Sequence, residues 1–306
     1  MVTKDSFGSY EKYLLASEEL ELWVATLGAT CLSLKYRGRE LLIGYRTPEE
    51  YASHNTFAGN IVGRFANRIK NASFALNGRE YKLAANEKKN QLHGGPAGFH
   101  TRRWTAEVTG DAAVRFTYFS PDGENGYPGN LRAAVTYTVD GAKLRIDFEG
   151  ESDEDTIYSP TTHMIFNLDG SESVLGTQLR LPASSYLETD AELIPTKKRP
   201  CVKDFDFREP RTIGQTYDHC FIIDPDFLPG VAVAEAGGVR MSLRTDFPAL
   251  QLYTGQYLSV PHHPLQGFAL EPEGYPDSPN RPDFPSPVLR KEAHYHKYAE
   301  YLFETV

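Results

Sequence analysis

Short runs of alternating apolar and polar residues recur along the sequence, and many of them end at a pair of residues that favours a tight turn. In the clearest case an alternation over 135–139 leads to Asp140-Gly141, and a second alternation follows over 144–149. A period of two residues places neighbouring side chains on opposite faces of a β-strand. The pattern therefore predicts antiparallel hairpins with one buried and one solvated face.

Two further turn sequences predict hairpins. Apolar positions before Asn77-Gly78 resume after it, and an Asn-Gly pair supplies the positive φ angles of a tight β-turn. Another alternation over 32–36 meets Arg37-Gly38-Arg39 before an apolar run at 41–43. We therefore expect strands on both sides of each turn.

Helical signals are sparse. One short helix is predicted near 47–51, where Pro48 and the acids after it suit a first helical turn. No Pro-, Gly- and Ser-rich segment divides the hairpins into two sets, and no repeat of fixed period appears. The sequence thus indicates a single all-β domain over 1–306, a sandwich or a barrel.

The composition limits the partners of such a domain. The 306 residues are 40% hydrophobic and 24% charged, and the formal net charge is −9. These fractions are typical of a soluble globular protein and predict no membrane span. An acidic chain without a basic run argues against nucleic acid and against polyanionic ligands. The expected partner is a neutral small molecule.

The three cysteines and the start of the chain bear on cellular location. Cys31, Cys201 and Cys220 are far apart and lack CxxC spacing, so they predict neither a disulfide framework nor a zinc site. Residues 1–20 are too acidic for a secretory signal, and their apolar runs are too short. We therefore expect a cytoplasmic protein, either a monomer or a homodimer.

His163 lies in an apolar, strand-like segment at 159–170 that ends in an Asp-Gly turn. Alternation places Thr161 and Ile165 on the same face as this histidine. Such a side chain is either a core histidine bonded to a nearby carbonyl or a group that faces a cleft. In a cleft, an ordinary pKa of about 6.5 suits it to proton transfer near neutrality.

Two carboxylates, Glu271 and Glu273, follow an apolar run near the end of the chain. Acids at positions i and i+2 share one face of an extended strand, where mutual repulsion raises the pKa of one of them. A strand end with its charges in water is the simpler alternative. If Glu271 is a base and His163 an acid, the two segments predict general acid-base chemistry. No nucleophile elbow, phosphate-binding glycine loop or convincing metal spacing appears, so no cofactor is predicted.

Three other segments place polar groups beside aromatic residues or glycines. At 63–69 two arginines and Asn67 interrupt an apolar stretch, and at 90–99 His93 precedes two glycines. Fixed donors and acceptors beside flat apolar faces suit a hydroxyl-rich ligand. The turn-rich segment 120–129 is either a connection or a loop whose tyrosine stacks on a ligand ring. Surface loops are the alternative explanation for each segment.

Taken together, these segments resemble the aldose 1-epimerase family, the galactose mutarotases. The resemblance covers the chain from about Asn60 to its end, and the ordered set of motifs is specific although each motif alone is weak. The matching motifs are Gly-Arg-Phe-Ala-Asn-Arg-Ile at 63–69, Leu-His-Gly-Gly at 92–95, Asp-Gly-Glu-Asn-Gly-Tyr-Pro-Gly at 122–129, Thr-His-Met-Ile-Phe-Asn-Leu at 162–168, Leu-Ile-Pro-Thr at 193–196, Tyr-Asp-His-Cys-Phe at 217–221, Gln-Leu-Tyr-Thr-Gly at 251–255 and Leu-Glu-Pro-Glu at 270–273.

The resemblance implies a large antiparallel β-supersandwich of the galactose mutarotase type, with no cofactor. It also implies that the chain interconverts the α and β anomers of a free aldose such as glucose or galactose. By matching positions, His163 is the implied general acid and Glu271 the implied general base. The side chains implied to hold sugar hydroxyls or to position the ring are Asn67, Arg68, His93, Asp218 and Gln251.

The chain departs from the family pattern beside both residues of this pair. The family has Asn-His-x-Tyr-Phe-Asn where this chain has Thr162 and Ile165, and Glu-x-Gln where it has Glu273. We expect Ile165 to line the pocket with His163, so that the lost tyrosine hydroxyl weakens discrimination between sugars. We expect Glu273 to raise the pKa of the base.

Three alternatives remain open at this point. An epimerase of hexose 6-phosphates would need a basic cluster for the phosphate. A glycosidase would need a second carboxylate roughly 5–9.5 Å from Glu271. A sugar-binding protein without catalytic activity would be expected to lack His163 or Glu271, and the sequence has both.

Overall fold

The structure, a computed structural model, describes residues 2–54, 56–228 and 230–306. Antiparallel sheets dominate it, as the alternating sequence predicts. Within the described ranges, each helix is too short or too polar to serve as a membrane span. The fold is all-β.

Nine strands form the largest sheet. In spatial order they are Thr105–Gly110, Ala113–Ser120, Leu131–Asp140, Lys143–Ser152, Tyr295–Thr305, Val239–Thr245, Gly230–Ala236, Gln178–Arg180 and Arg211–Thr212. The predicted hairpin at Asp140-Gly141 is confirmed, because Asp140 pairs with Lys143 across the turn. Alternate residues of Lys143–Ser152 are buried, which accounts for the apolar alternation in the sequence.

A second sheet contains the first five strands of the chain. They are Val2–Phe7, Tyr10–Ala16, Leu20–Ala25, Thr30–Tyr36 and Arg39–Glu40. The turn at Arg37-Gly38 forms as predicted, with Tyr36 opposite Arg39. Of the apolar run after it, Leu41 continues the hairpin with a bond from its amide to the Leu34 carbonyl at 2.9 Å, whereas Leu42–Ile43 pairs with Ile165–Phe166.

A third sheet has five strands and carries much of the site described below. In spatial order they are Pro195–Pro200, Ser185–Thr189, Asp218–Ile222, Ala249–Tyr253 and Ala269–Glu273. The largest cluster of buried apolar side chains extends from Tyr13 to Phe303 and includes residues of all three sheets. For example, Tyr13 meets Phe116 of the nine-stranded sheet edge-to-face at 6.1 Å between ring centroids.

Short elements connect the sheets. Two-stranded ladders join Ser73–Leu76 to Arg79–Lys82, Arg68–Ile69 to Gln91–Leu92, Ile61–Val62 to Thr161–Thr162, Leu42–Ile43 to Ile165–Phe166, and Thr156–Ile157 to Val288–Leu289. Single turns of 3-10 helix span Lys70–Ala72, Phe99–Thr101, Glu124–Gly126, Val174–Gly176, Lys203–Phe205, Pro225–Phe227 and Ser278–Asn280. The predicted short helix is Pro48–Ser53, capped by the Thr47 hydroxyl, which accepts from the Glu50 amide at 3.2 Å.

Arg64, the first arginine of the 63–69 segment, is a structural residue. Its guanidinium is buried and donates to the carbonyls of Ser120, Pro121, Pro128 and Gly129 at 2.8–3.0 Å. It also donates to the Ser120 hydroxyl at 2.9 Å. Because these carbonyls belong to the turn-rich segment at 120–129, one side chain holds that whole segment against the rest of the fold.

The same segment is not a ligand loop. Its Tyr127 is 1% exposed, and the hydroxyl donates to the side-chain carbonyl of Gln91 inside the fold. The alternative in which this tyrosine stacks on a ligand ring is therefore wrong, and the segment is a connection.

Candidate active site

All seven residues to which the family resemblance assigns a role line one cavity of about 460 Å³. They come from separate elements that the fold brings together. The residues are Asn67, Arg68, His93, His163, Asp218, Gln251 and Glu271. The volume lies within the usual range for small-molecule sites, about 300–1,000 Å³.

Three of these side chains come from adjacent strands of the third sheet. Gln251 stands directly opposite Glu271 in the antiparallel register, and Asp218 lies on the neighbouring strand. The Gln251 amide donates to an Asp218 oxygen at 2.5 Å. Burial raises the pKa of Asp218, although Arg68 and this amide act in the opposite direction. The sheet register thus sets a row of three polar groups along one wall.

His163 follows the short strand Thr161–Thr162 and is clamped by backbone bonds. Its amide donates to the Asn60 carbonyl at 2.9 Å, and its carbonyl accepts from the Gly59 amide at 2.8 Å. The ring nitrogen Nε2 then lies 3.7 Å from Oε1 of Glu271. Burial lowers the pKa of His163 to about 4. The acid and base implied by the sequence are therefore neighbours in a buried site.

His93 is held with one nitrogen fixed as an acceptor. The backbone amide of Asn67 donates to Nδ1 of His93 at 3.1 Å, so a neutral ring carries its proton on Nε2. Burial and then the charge of any protonated His163 lower the pKa of His93 well below its ordinary value. The following Gly94 has φ +85°, and a side chain there would meet the Gly63 carbonyl at 1.7 Å. Only glycine allows the two loops to approach so closely.

Arg68, the second arginine of the 63–69 segment, is a site residue held by a carboxylate that the sequence did not single out. Glu87 accepts from its Nε at 2.8 Å and from its Nη2 at 2.9 Å. A second carboxylate, on Asp218, lies 3.9 Å from the same guanidinium. A bidentate ion pair of this kind fixes the plane of the guanidinium as well as its position.

The carboxyls of Glu271 and Glu273 lie on one face of their strand, as predicted, and both are buried. Glu273 accepts from the Asn67 side-chain amide at 2.9 Å. Burial, and then the neighbouring charge of Glu273, raises the pKa of Glu271 well above its ordinary value. Burial also raises the pKa of Glu273 to about 8. Both carboxyls therefore hold protons to higher pH than they would in water.

Known proteins are similar to this chain in sequence and in fold. A profile of the family described as Aldose 1-epimerase matches residues 11–302. A galactose mutarotase from Sus scrofa is 33% identical over 97% of this chain and 94% of that protein, and an aldose 1-epimerase from Haemophilus influenzae is 37% identical over 90% of each. The crystal structure of an aldose epimerase homologue from C. elegans superposes with a TM-score of 0.93 at 27% identity, covering 97% of this chain and 100% of that one. The chain belongs to the aldose 1-epimerase family.

As a member of the aldose 1-epimerase family, the protein is an isomerase. The antiparallel β-supersandwich expected from the sequence is confirmed by the structure and by its superposition on the relative from C. elegans. The family resemblance of the ordered motifs is confirmed as well. The roles of individual side chains are taken up as proposals below.

One expectation for this family member was wrong. Ile165 does not line the cavity but packs with Ile43, Tyr45, Ala58 and Leu258 in a separate apolar cluster. The strand is interrupted after Thr162, so the alternation that was extended from His163 does not reach position 165. The predicted loss of a sugar contact at this position therefore has no structural basis.

Aromatic residues of the cavity were also missed. The Phe57 ring lies 4.8 Å from that of His93 and 6.0 Å from that of His163, measured between centroids. Tyr253 lines the cavity beside His163, and Tyr257 lies further along the lining. Tyr253 is part of the family motif at 251–255, which was the one signal that could have identified it.

Within the described part of the chain, His93, His163 and Glu271 form the one group that could hold a metal ion, with ligand atoms within 4.8 Å of one another. The hydrogen bond from the backbone amide of Asn67 to Nδ1 of His93 argues against metal binding by this group. A metal on Nδ1 of His93 would displace that bond. A metal on Nε2 would move the ring proton to Nδ1, where it would face the donor of Asn67.

Proposed function

We propose that the protein interconverts the α and β anomers of a free aldose such as glucose or galactose, with His163 as general acid and Glu271 as general base. The observation that carries this proposal is the approach of Nε2 of His163 to Oε1 of Glu271, at 3.7 Å, in a buried cavity. Two groups at this spacing can reach two oxygens of one sugar. The relatives named as galactose mutarotase and aldose 1-epimerase support the same reaction.

The chemistry needs two proton transfers and no redox step. Glu271 removes the proton of the C1 hydroxyl while the bond between C1 and the ring oxygen breaks, and His163 protonates that oxygen. The open aldehyde then rotates about the C1–C2 bond. Closure reverses both transfers on the other face of the carbonyl, which returns each residue to its starting protonation state. Each transfer typically contributes about 10²–10⁴-fold to the rate.

The exchange requires one proton shared between His163 and Glu271. Burial lowers the pKa of His163 and raises the pKa of Glu271, so it favours a neutral imidazole beside a protonated carboxyl. A pair with one proton can give a proton at one oxygen and take one at the other. In the proposed mechanism this proton is on His163 when Glu271 acts as the base.

The remaining residues are proposed to hold the open chain while it turns. His93 presents an N–H from Nε2, Arg68 presents a fixed guanidinium, and Asp218 and Gln251 supply acceptors. Asn67 acts less directly, because its side-chain amide is bonded to Glu273 and its backbone amide to His93. Holding the aldehyde in place prevents its loss before ring closure.

The charge of the lining favours a neutral sugar over a sugar phosphate. The cationic lining residues among those described are Arg68 and Lys88, and Arg68 is already paired with Glu87. The acidic lining residues are Glu87, Glu192, Asp218 and Glu271. A phosphate dianion would meet net repulsion here. A glycosidase needs a second carboxylate across the scissile bond, whereas the group that lies 3.7 Å from Glu271 is the imidazole of His163.

Polarimetry of freshly dissolved sugars tests the proposal. We expect the protein to accelerate the mutarotation of α-galactose and α-glucose and to leave glucose 6-phosphate close to its spontaneous rate. The rates for xylose, arabinose and fucose in the same series show which ring substituents the cavity recognises. Acceleration confined to the phosphorylated sugar would overturn the proposal in favour of the phosphate-specific alternative.

We also predict that activity survives exhaustive dialysis against EDTA. The reason is the Asn67 hydrogen bond to His93, which opposes metal binding through either nitrogen of that ring. The measurement compares initial rates before dialysis, after dialysis, and after addition of Zn²⁺ or Mn²⁺. Activity that is lost on dialysis and regained only with a divalent ion would contradict the proposed cofactor-free mechanism.

The carboxyl of Glu273 should set the pH dependence. Substitution Glu273→Gln removes a charge beside Glu271, so the pKa of Glu271 should fall and the acidic limb of kcat/KM should move to lower pH. Glutamine can still accept the bond from Asn67 through its carbonyl oxygen. Glu188→Gln, on an adjacent region of the same sheet but outside the cavity, is the matched control. An acidic limb that stays in place in Glu273→Gln would show that this carboxyl does not act on the base.

The domain count, the cellular location and the oligomeric state are also proposals. The cluster of buried residues that extends from Tyr13 to Phe303 supports a single domain over 1–306. A cytoplasmic location is proposed from the cysteine usage of the sequence, in which Cys31, Cys201 and Cys220 are all buried free thiols. A monomer and a homodimer are both compatible with the site, because every proposed site residue comes from one chain.

A further inference from the structure

The turn at 86–90 presents the carboxylate of Glu87 to the cavity, and its own hydrogen bonds fix its shape. The Glu87 amide donates to the Asn90 carbonyl at 3.2 Å, and the Asn90 amide donates to the Glu87 carbonyl at 2.9 Å. The side chain of Asn86 donates to the Leu92 carbonyl at 3.0 Å and accepts from the Leu92 amide at 2.7 Å. The backbone of Glu87 is therefore tied to the neighbouring strand.

The carboxylate of Glu87 occupies one side of the Arg68 guanidinium. A guanidinium has five N–H donors, and Glu87 accepts from two of them, on Nε and Nη2. Among the described residues, none accepts a hydrogen bond from Nη1 of Arg68. The Arg68 side chain is buried and lines the cavity. The donors of Nη1 are therefore available to a ligand in the cavity.

A second carboxylate attracts the same guanidinium. Oδ2 of Asp218 lies 3.9 Å from Nη2 of Arg68, which is too far for a hydrogen bond but close enough for strong attraction. The side chains of Arg68 and Asp218 are 8% and 13% exposed, so solvent screens this attraction only weakly. Without Glu87, the guanidinium would move towards Asp218, and the two charges would satisfy each other.

We propose that Glu87 is a positioning residue that holds the Arg68 guanidinium away from Asp218, so that Nη1 and the Asp218 carboxylate both stay available to sugar hydroxyls. This inference rests on the proposed interconversion of anomers. It gives Glu87 no contact with the reacting atoms. Its effect is on how well the sugar, and then the open aldehyde, is held during the reaction.

Substitution Glu87→Gln breaks the bidentate pair without a change of side-chain size. Glutamine offers one acceptor oxygen, and its NH₂ group would face an N–H of Arg68. We expect kcat/KM for galactose to fall by roughly 5- to 20-fold, mainly through KM. Glu80→Gln makes the same chemical change at an exposed position outside the cavity and should leave kcat/KM unchanged. Circular dichroism and the thermal midpoint show whether each variant is folded.

A double-mutant cycle with Arg68→Met decides how Glu87 acts. If it acts through Arg68, Glu87→Gln should change kcat/KM by less than about twofold once the guanidinium is absent. An equal loss in both backgrounds would overturn the inference, because Glu87 would then contact the sugar or support the fold directly. An unchanged kcat/KM in Glu87→Gln alone would also overturn it, while the proposed function stands. Wild-type protein that does not accelerate mutarotation would refute the proposed function and this inference with it.

Discussion

Substitution Glu271→Gln is expected to lower kcat for galactose mutarotation by about 10²–10⁴-fold, because an amide cannot take the proton of the C1 hydroxyl. The same range is expected for His163→Asn, since the ring oxygen then lacks a proton donor. The geometric basis is the 3.7 Å separation of Nε2 and Oε1 between two buried side chains. Initial rates by polarimetry at saturating sugar measure the loss.

The losses of kcat caused by the two substitutions should not be multiplicative. Both transfers belong to one ring-opening step, so the double variant is expected to be only slightly slower than the slower single variant. Circular dichroism and the thermal midpoint, measured on each variant, show whether the fold is retained. If a folded single variant keeps more than roughly a tenth of the wild-type kcat, the role assigned to that residue is wrong.

The largest effect on stability is expected at Arg64. In Arg64→Met, the carbonyls of Ser120, Pro121, Pro128 and Gly129 lose their buried donor. Burial lowers the pKa of this guanidinium to about 10, so it is still charged at neutral pH and its bonds are charge-assisted. We expect the free energy of unfolding to fall by about 3–5 kcal/mol.

Urea unfolding at constant m-value measures this loss. Arg79→Met makes the same chemical change at an exposed position and should alter the free energy of unfolding by less than about 0.5 kcal/mol. A loss below about 1 kcal/mol in Arg64→Met would contradict the structural role of this arginine, since unpaired buried acceptors alone should cost more than that.

The parts of the fold that could be predicted from sequence are those set by local chemistry. Asn77 and Gly78 adopt φ angles of 52° and 77°, as a tight turn requires, and Leu76 pairs with Arg79 across them. The turn at Asp140-Gly141 is determined in the same local way. The pairing of Leu42–Ile43 with a strand more than a hundred residues away has no such local signal, and it was missed.

The site, like the fold, has features that follow from local sequence and features that depend on distant parts of the chain. Glu271 and Glu273 share a face because their strand is regular, and the pKa of Glu271 rises through burial first and then through the charge of Glu273. Ile165 was misplaced because the chain leaves the strand between Thr162 and position 165. Periodicity locates a side chain only where the strand is unbroken.

Residues that act through distant partners could not be identified from sequence. Glu87 belongs to a charged run, Glu87-Lys88-Lys89, which is typical of a solvated loop. Its function depends on Arg68, which only the folded chain brings within hydrogen-bond distance. The two arginines of the 63–69 segment likewise look equivalent in sequence, yet Arg64 holds a connection and Arg68 lines the cavity.

The central claim is that His163 and Glu271 together interconvert anomers by opening the sugar ring. Two-dimensional exchange NMR on equilibrated galactose measures this directly, because the anomeric protons of the two forms have separate signals. The account predicts an exchange rate that rises in proportion to the concentration of wild-type protein and stays at the buffer rate with equal concentrations of folded Glu271→Gln. Exchange with wild type at no more than the buffer rate, or equal acceleration by the variant, would contradict it.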